Sequence, residues 1–154
     1  MKKRNILLLG IVCAVVIIQF IRPERNNSVQ EQAESMVAIY HPPDSIRLII
    51  QQSCSDCHSN NTRYPWYAAV QPVRWFLEYH IRNGKKELNL DEFAAYSRKR
   101  RIHKLKAIKN QITDGDMPLP SYLWMHKEAR LSKNQKEQLS TWIDKLVDSL
   151  KSTE

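Results

Sequence analysis

The sequence predicts an all-α fold: a small helical domain over residues 44–150, preceded by an N-terminal transmembrane helix. Three observations carry this expectation. Apolar residues recur at helical spacing along several segments, and no alternating strand pattern is present. Glycine is scarce, with 3 residues in 154, which disfavours a fold built on many tight glycine turns. The chain also opens on a basic cluster followed by an apolar run, the pattern of an export signal or a membrane anchor.

Residues 1–5 form a basic N-terminus, with Lys2, Lys3 and Arg4, expected on the cytoplasmic side. Residues 6–21 are apolar except for Gln19, and Arg22, Pro23, Glu24 and Arg25 close the run. At about 1.5 Å per residue this segment reaches roughly 24 Å, against a hydrocarbon core of about 30 Å. Snorkelling lysines and arginines at its ends can cover the difference. Phe20, Ile21 and Arg22 offer no small-x-small cleavage site, so an uncleaved signal-anchor is expected. A lipoprotein signal at Cys13 fits poorly, because Gly10 and Val12 occupy the positions that need Leu and a small residue. The positive-inside tendency then places the rest of the chain outside the cytoplasm. The expectation is a single-pass protein of the cytoplasmic membrane, with its domain facing the periplasm. Residues 22–43 read as a polar linker ending in Pro42-Pro43.

Asp44-Ser45 can cap a helix carrying Ile46, Ile49 and Ile50, which leads into Cys54. Val73, Phe76, Leu77, His80 and Ile81 lie on one helical face, with Gly84 placed to end that helix. Asn89 or Asp91 can start another helix near Glu92-Phe93. The stripe Ile102, Leu105, Ile108 and Ile112 stops at Gly115. Ser132 and Gln135 form a capping box for a last helix through Leu139, Trp142, Ile143, Leu146 and Leu150.

The composition, 42 % hydrophobic and 26 % charged, is that of a globular chain rather than a disordered one. The net charge of +8 is concentrated at the N-terminus and in the run Arg98-Lys99-Arg100-Arg101 with Lys104, Lys106 and Lys109. That run reads first as a solvated helix face. Docking to an acidic redox partner protein is the second reading, and contacts to haem propionates or lipid headgroups the third. Nucleic acid is not an expected partner for an exported domain.

Three cysteines, at 13, 54 and 57, do not make a disulfide framework. The chemistry lies in Cys54-Ser55-Asp56-Cys57-His58. Two thiols three positions apart can each add across one vinyl group of a haem, and the adjacent imidazole can then bind the iron. The expected cofactor is one covalent haem c, with Cys54 and Cys57 as its thioether residues and His58 as an axial ligand. A zinc site needs two more ligands at matching spacing, and a thioredoxin-like motif needs a βαβ context; neither is visible. A plain disulfide is the remaining alternative.

Met117, in the stiff loop Gly115-Asp116-Met117-Pro118-Leu119-Pro120, is the favoured second axial ligand. Met125, His126 and His80 are its rivals, and a gap-filling core methionine is the plainer reading. Trp66, Tyr67, Trp75, Tyr79, Trp124 and Trp142 can wall the site or simply pack a core.

From Cys54 to Trp142 the chain resembles the bacterial haem-binding domain family, whose members are c-type cytochrome-like. The resemblance rests on CSDCHSN (54–60), YPWY (64–67), P-x-x-W (72–75), H-x-x-x-G (80–84), GDMPLPSY (115–122) and the A-x-L-S…W run from Ala129 to Trp142. It implies a small cytochrome c-like helical domain around one haem. It also implies that a carbonyl between Tyr64 and Pro72 holds the free ring nitrogen of His58. Electron transfer is the expected function; a peroxidase-type haem enzyme and a haem-based redox or gas sensor are the alternatives.

Overall fold

The computed structural model describes residues 3–28 and 33–152. Met1 and Lys2 of the basic N-terminus and residues 29–32 of the expected linker lie outside the described residues. Among the described residues eight α-helices follow one another: α1 (Lys3–Ile18), α2 (Met36–Tyr40), α3 (Asp44–Ser53), α4 (Ser55–His58), α5 (Val73–Glu87), α6 (Arg98–Asp114), α7 (Pro120–Leu123) and α8 (Lys133–Ser152). Short 3₁₀ turns at Trp66–Ala69, Phe93–Ala95 and Lys127–Ala129 join them. No strand is found among the described residues, so the all-α expectation holds.

The core lies where α6, α8 and α3 meet. Leu105 and Ile112 of α6, Leu139, Ile143 and Val147 of α8, and Ile46, Ile49 and Ile50 of α3 are all buried. Phe93 in its 3₁₀ turn is fully buried, edge-on to Tyr40 and Tyr96. The expected caps of α8 and α6 form. Ser132 N–H donates to Gln135 Oε1 at 2.9 Å, and Gln135 N–H donates to Ser132 Oγ at 3.2 Å. Gly115 ends α6 at φ 85°, a left-handed conformation that glycine adopts without steric cost. At α3 the helix already includes Asp44, and Pro43 precedes it without a side-chain cap.

The N-terminal segment departs from expectation. Helix α1 has 16 residues and begins with Lys3, Arg4 and Asn5, so its apolar part is shorter still. Beyond Ile18 the chain continues in turns, and the residues there are engaged by the domain. Gln71 N–H donates to Gln19 Oε1 at 2.9 Å, and Gln19 Nε2 donates back to the Gln71 carbonyl at 3.3 Å. The Ile21 carbonyl accepts from Gln71 Nε2 and Trp75 Nε1. No described helix is long and apolar enough to cross a membrane. The transmembrane helix expected over residues 6–21 is therefore corrected. The single-pass placement in the cytoplasmic membrane, with the domain facing the periplasm, falls with it.

Two further differences bear on the site. Helix α2 forms within the segment expected to be a plain linker, and Met36 is buried, its N–H donating to the Leu90 carbonyl at 2.7 Å. Gly84 does not end its helix: α5 runs on to Glu87. A Cβ at Gly84 would stand 2.7 Å from the Cys57 carbonyl oxygen and 3.3 Å from Cys57 Cβ. Only a bare Cα lets α5 approach α4 this closely, so glycine serves packing here and not termination.

Two outcomes test this architecture. Phe93→Ala removes a fully buried ring, and urea unfolding should show a loss of about 3–5 kcal/mol. Gly84→Ala raises helix propensity by about 1 kcal/mol yet forces two backbones apart. The same measurement should show a net loss of about 1–3 kcal/mol, the usual cost of overpacking.

Candidate haem site

Helix α4 is the single turn Ser55–His58, opened by the Cys54 carbonyl, which accepts from Cys57 N–H at 3.2 Å and His58 N–H at 3.0 Å. This turn places both thiols and the imidazole on one short piece of chain. Cys54 and Cys57 are free thiols, not a disulfide. Burial is the first cause that pushes Cys54 up to about 12, followed by the neighbouring Cys57. Burial again, then the Asp56 carboxylate, pushes Cys57 up to about 11. Both are held as neutral thiols.

The His58 ring is fixed from behind. Its Nδ1 lies 3.0 Å from the Gly84 carbonyl and 3.0 Å from the Leu88 carbonyl. Two acceptors at one ring nitrogen require it to carry the hydrogen, which leaves the lone pair on Nε2. Burial lowers the His58 pKa, opposed by these two carbonyls, so the imidazole is neutral and able to ligate a metal. Both carbonyls come from the end of α5, not from the segment between Tyr64 and Pro72. The Gly84 carbonyl also accepts the Leu88 N–H at 2.8 Å and uses its second lone pair for His58, while Leu88, the residue after α5, offers a carbonyl beyond the helix.

Three adjoining cavities, of about 350, 260 and 270 Å³, surround this turn. Cys54, His58 and Met117 line both the first and the second; Cys57, His80 and Tyr122 line both the second and the third. Their sizes lie near or within the range of small-molecule and cofactor sites, roughly 300–1,000 Å³. The first is walled mainly by apolar side chains, Ile50, Leu90, Ile108 and Leu139 among them. It also takes in one cation, Lys104, whose Nζ lies 3.9 Å from Glu87 Oε2 and whose side chain is 17 % exposed.

The structure therefore brings Cys54, Cys57, His58 and Met117 to one set of cavities. Met117 comes from the loop between α6 and α7, held at its near end by Asp116 and Met117 N–H groups that both donate to the Gln111 carbonyl. Among the rivals, His80 stands one turn before Gly84 on α5, the helix behind the His58 ring. Its Nε2 is buried without a hydrogen-bond partner and borders the cavities. His126 is engaged elsewhere: Tyr67 Oη lies 2.6 Å from its Nε2, and Glu128 Oε1 lies 3.2 Å from its Nδ1. Met125 is 57 % exposed and reaches only the third cavity.

Of the aromatic residues, Trp66 and Trp124 are exposed at 78 and 81 % and cannot wall a buried site. Tyr67 and Tyr122 do border it. Sequence reasoning passed over Asp56, buried between the cysteines, although an acid inside the CxxCH turn was the available signal. Asp56 Oδ1 accepts from the Arg63 N–H and Nε at 3.2 Å each, and Oδ2 accepts from Tyr122 Oη at 2.7 Å. Burial and the Asp56 carboxylate push the Tyr122 hydroxyl far above the ordinary phenol range.

These features suit a flat, mostly apolar macrocycle with acidic side groups. Two neutral thiols, an oriented imidazole and a mostly apolar chamber edged by the Lys104–Glu87 pair fit such a group. Bare metal is a poorer fit: among the described residues no cluster of three or more His, Cys, Asp or Glu side chains could hold an ion.

Comparison with known proteins agrees with this reading at the level of the family. Residues 13–145 match the family model described as "haem-binding domain". Nothing matches among curated proteins or among solved structures. The matched span covers most of the sequence, including α3 to α7 and every residue lining the three cavities, and on it the chain belongs to the haem-binding domain family.

Proposed function

We propose that Cys54 and Cys57 hold one haem c by thioether bonds, that His58 and Met117 are its axial ligands, and that the protein transfers electrons. The observation that carries this reading is the pairing at His58. Its Nδ1 is tied to two carbonyls, and its remaining lone pair belongs to a residue that shares two cavities with Met117 and Cys54. When bound, such a group supplies a one-electron ferrous–ferric couple.

The chain's own residues shape that couple. The Met117 thioether is a soft, neutral donor, which favours the reduced iron and raises the potential. The carbonyls of Gly84 and Leu88 keep the imidazole in one orientation and increase its donor strength. Apolar side chains from α3, α6 and α8 exclude water, so the charge change meets little solvent reorganisation. Lys104 can neutralise a carboxylate at the cavity edge. With two protein ligands in place no coordination position remains for a substrate, which favours transfer over peroxidase or sensor chemistry.

An acidic redox protein is the partner this reading expects. Much of the basic run is already committed: Arg101 donates to the carbonyls of Ala94 and Tyr96, Arg98 to that of Leu150, and Lys109 to Asp144. Lys99 and Lys106 are exposed, and Arg100 lies over the Tyr96 ring, so these three are the residues available for steering.

Protein made in a host competent for c-type maturation, then denatured, should exceed the mass of the bare chain by one haem. The Cys54→Ala, Cys57→Ala double variant should show the bare-chain mass. Met117→Ala should keep the haem and lose the low-spin methionine signature in its optical spectrum. An unchanged spectrum would remove Met117 from the ligand set.

A further inference from the structure

Asp56 lies between the two cysteines, on the turn that carries His58. Its carboxylate is nearly enclosed, with a side chain 10 % exposed. Arg63 holds one carboxylate oxygen with two N–H donors, and Thr62 Oγ1 donates to the Asp56 backbone carbonyl at 2.7 Å, which fixes the turn at this residue. The other oxygen accepts from Tyr122 at 2.7 Å, a charge-assisted bond of the stronger kind. Tyr122 sits five residues beyond Met117, across a segment stiffened by Pro118 and Pro120. Its ring is also stacked on His126, with centroids 4.2 Å apart and planes within 10°. The single Tyr122–Asp56 bond thus ties the methionine loop to the CxxCH turn.

From this geometry we infer that Tyr122 and Asp56 are a positioning pair that holds Met117 at the iron. The inference rests on the reading of Met117 as the second axial ligand. A thioether is a weak donor, and it outcompetes external ligands only because the loop keeps its local concentration high. The near end of that loop is fixed by the Gln111 carbonyl and the far end by Tyr122. Freeing the far end widens the space the sulfur explores and lowers its effective concentration at the metal.

The test is a titration of the ferric, haem-loaded full chain with imidazole, followed by loss of the methionine–iron charge-transfer band. Tyr122→Phe keeps the ring and its stacking and removes only the donor. It should reach half-saturation at about tenfold lower imidazole, the change that 1.4 kcal/mol of lost positioning corresponds to. Asp56→Asn, which removes the charge from the same bond, should move half-saturation in the same direction, and serves if Tyr122→Phe fails to load haem. If either loaded variant binds imidazole like the parent while its thermal midpoint falls, the pair is merely structural and the inference is overturned. Met117→Ala separates the two claims: if the band survives that change the ligand reading fails, whereas if it vanishes and Tyr122→Phe titrates normally only the positioning role fails.

Discussion

The hydrogen bonds from His58 Nδ1 to the carbonyls of Gly84 and Leu88 organise this molecule. They require the last turn of α5 to lie against α4 at backbone distance. Gly84 allows that approach, since any side chain there would meet the Cys57 carbonyl. The same contact gives a donor to the Leu88 carbonyl, one residue past the helix. It presents the negative end of the α5 dipole to an N–H donor as well. Imidazole orientation, tautomer and basicity all follow from this one helix-to-turn approach.

Around that contact the chain divides its labour. The apolar residues of α3, α6 and α8 form the core and one wall of the cavities, so stability and solvent exclusion come from the same side chains. Polar groups on the other side make a connected set: Thr62 and Arg63 fix Asp56, and Asp56 accepts from Tyr122. In a low-dielectric setting a network of this kind is worth having only when its members are satisfied, and these are. The segment before the domain is held in a similar way. Tyr64 Oη donates to Glu78 and accepts from Asn26 N–H, while Lys85 donates to Asn26 Oδ1.

Much of this was legible in the amino-acid order. The stripes of α3, α6 and α8, the capping box at Ser132 and the stop at Gly115 depend on contacts within a few residues, which periodicity reports directly. On α5 the helix forms, but the expected stripe is not its buried face: Val73 and Phe76 are exposed beside the third cavity, and Arg74, Glu78 and Ile81 are buried. The turn Cys54–His58 was equally plain, because its two thiols and its imidazole lie within five consecutive residues. Less was legible at residues 36–40. There, one buried methionine and a bond to Leu90, more than fifty positions away, decide the helix. The apolar opening run misled, since hydropathy counts residues and does not see that Gln19 and Ile21 are bound by Gln71 and Trp75.

By itself, then, the sequence determined the helical class, the thiol–imidazole turn and a methionine loop able to face it. Each of these is written in neighbours along the chain. Tertiary structure alone decided which carbonyls orient His58, why position 84 is glycine, what engages the chain beyond α1 and that Tyr122 meets Asp56. Those are pairings between segments distant in sequence, created only when helices pack, and no local pattern encodes which partner lies across the gap.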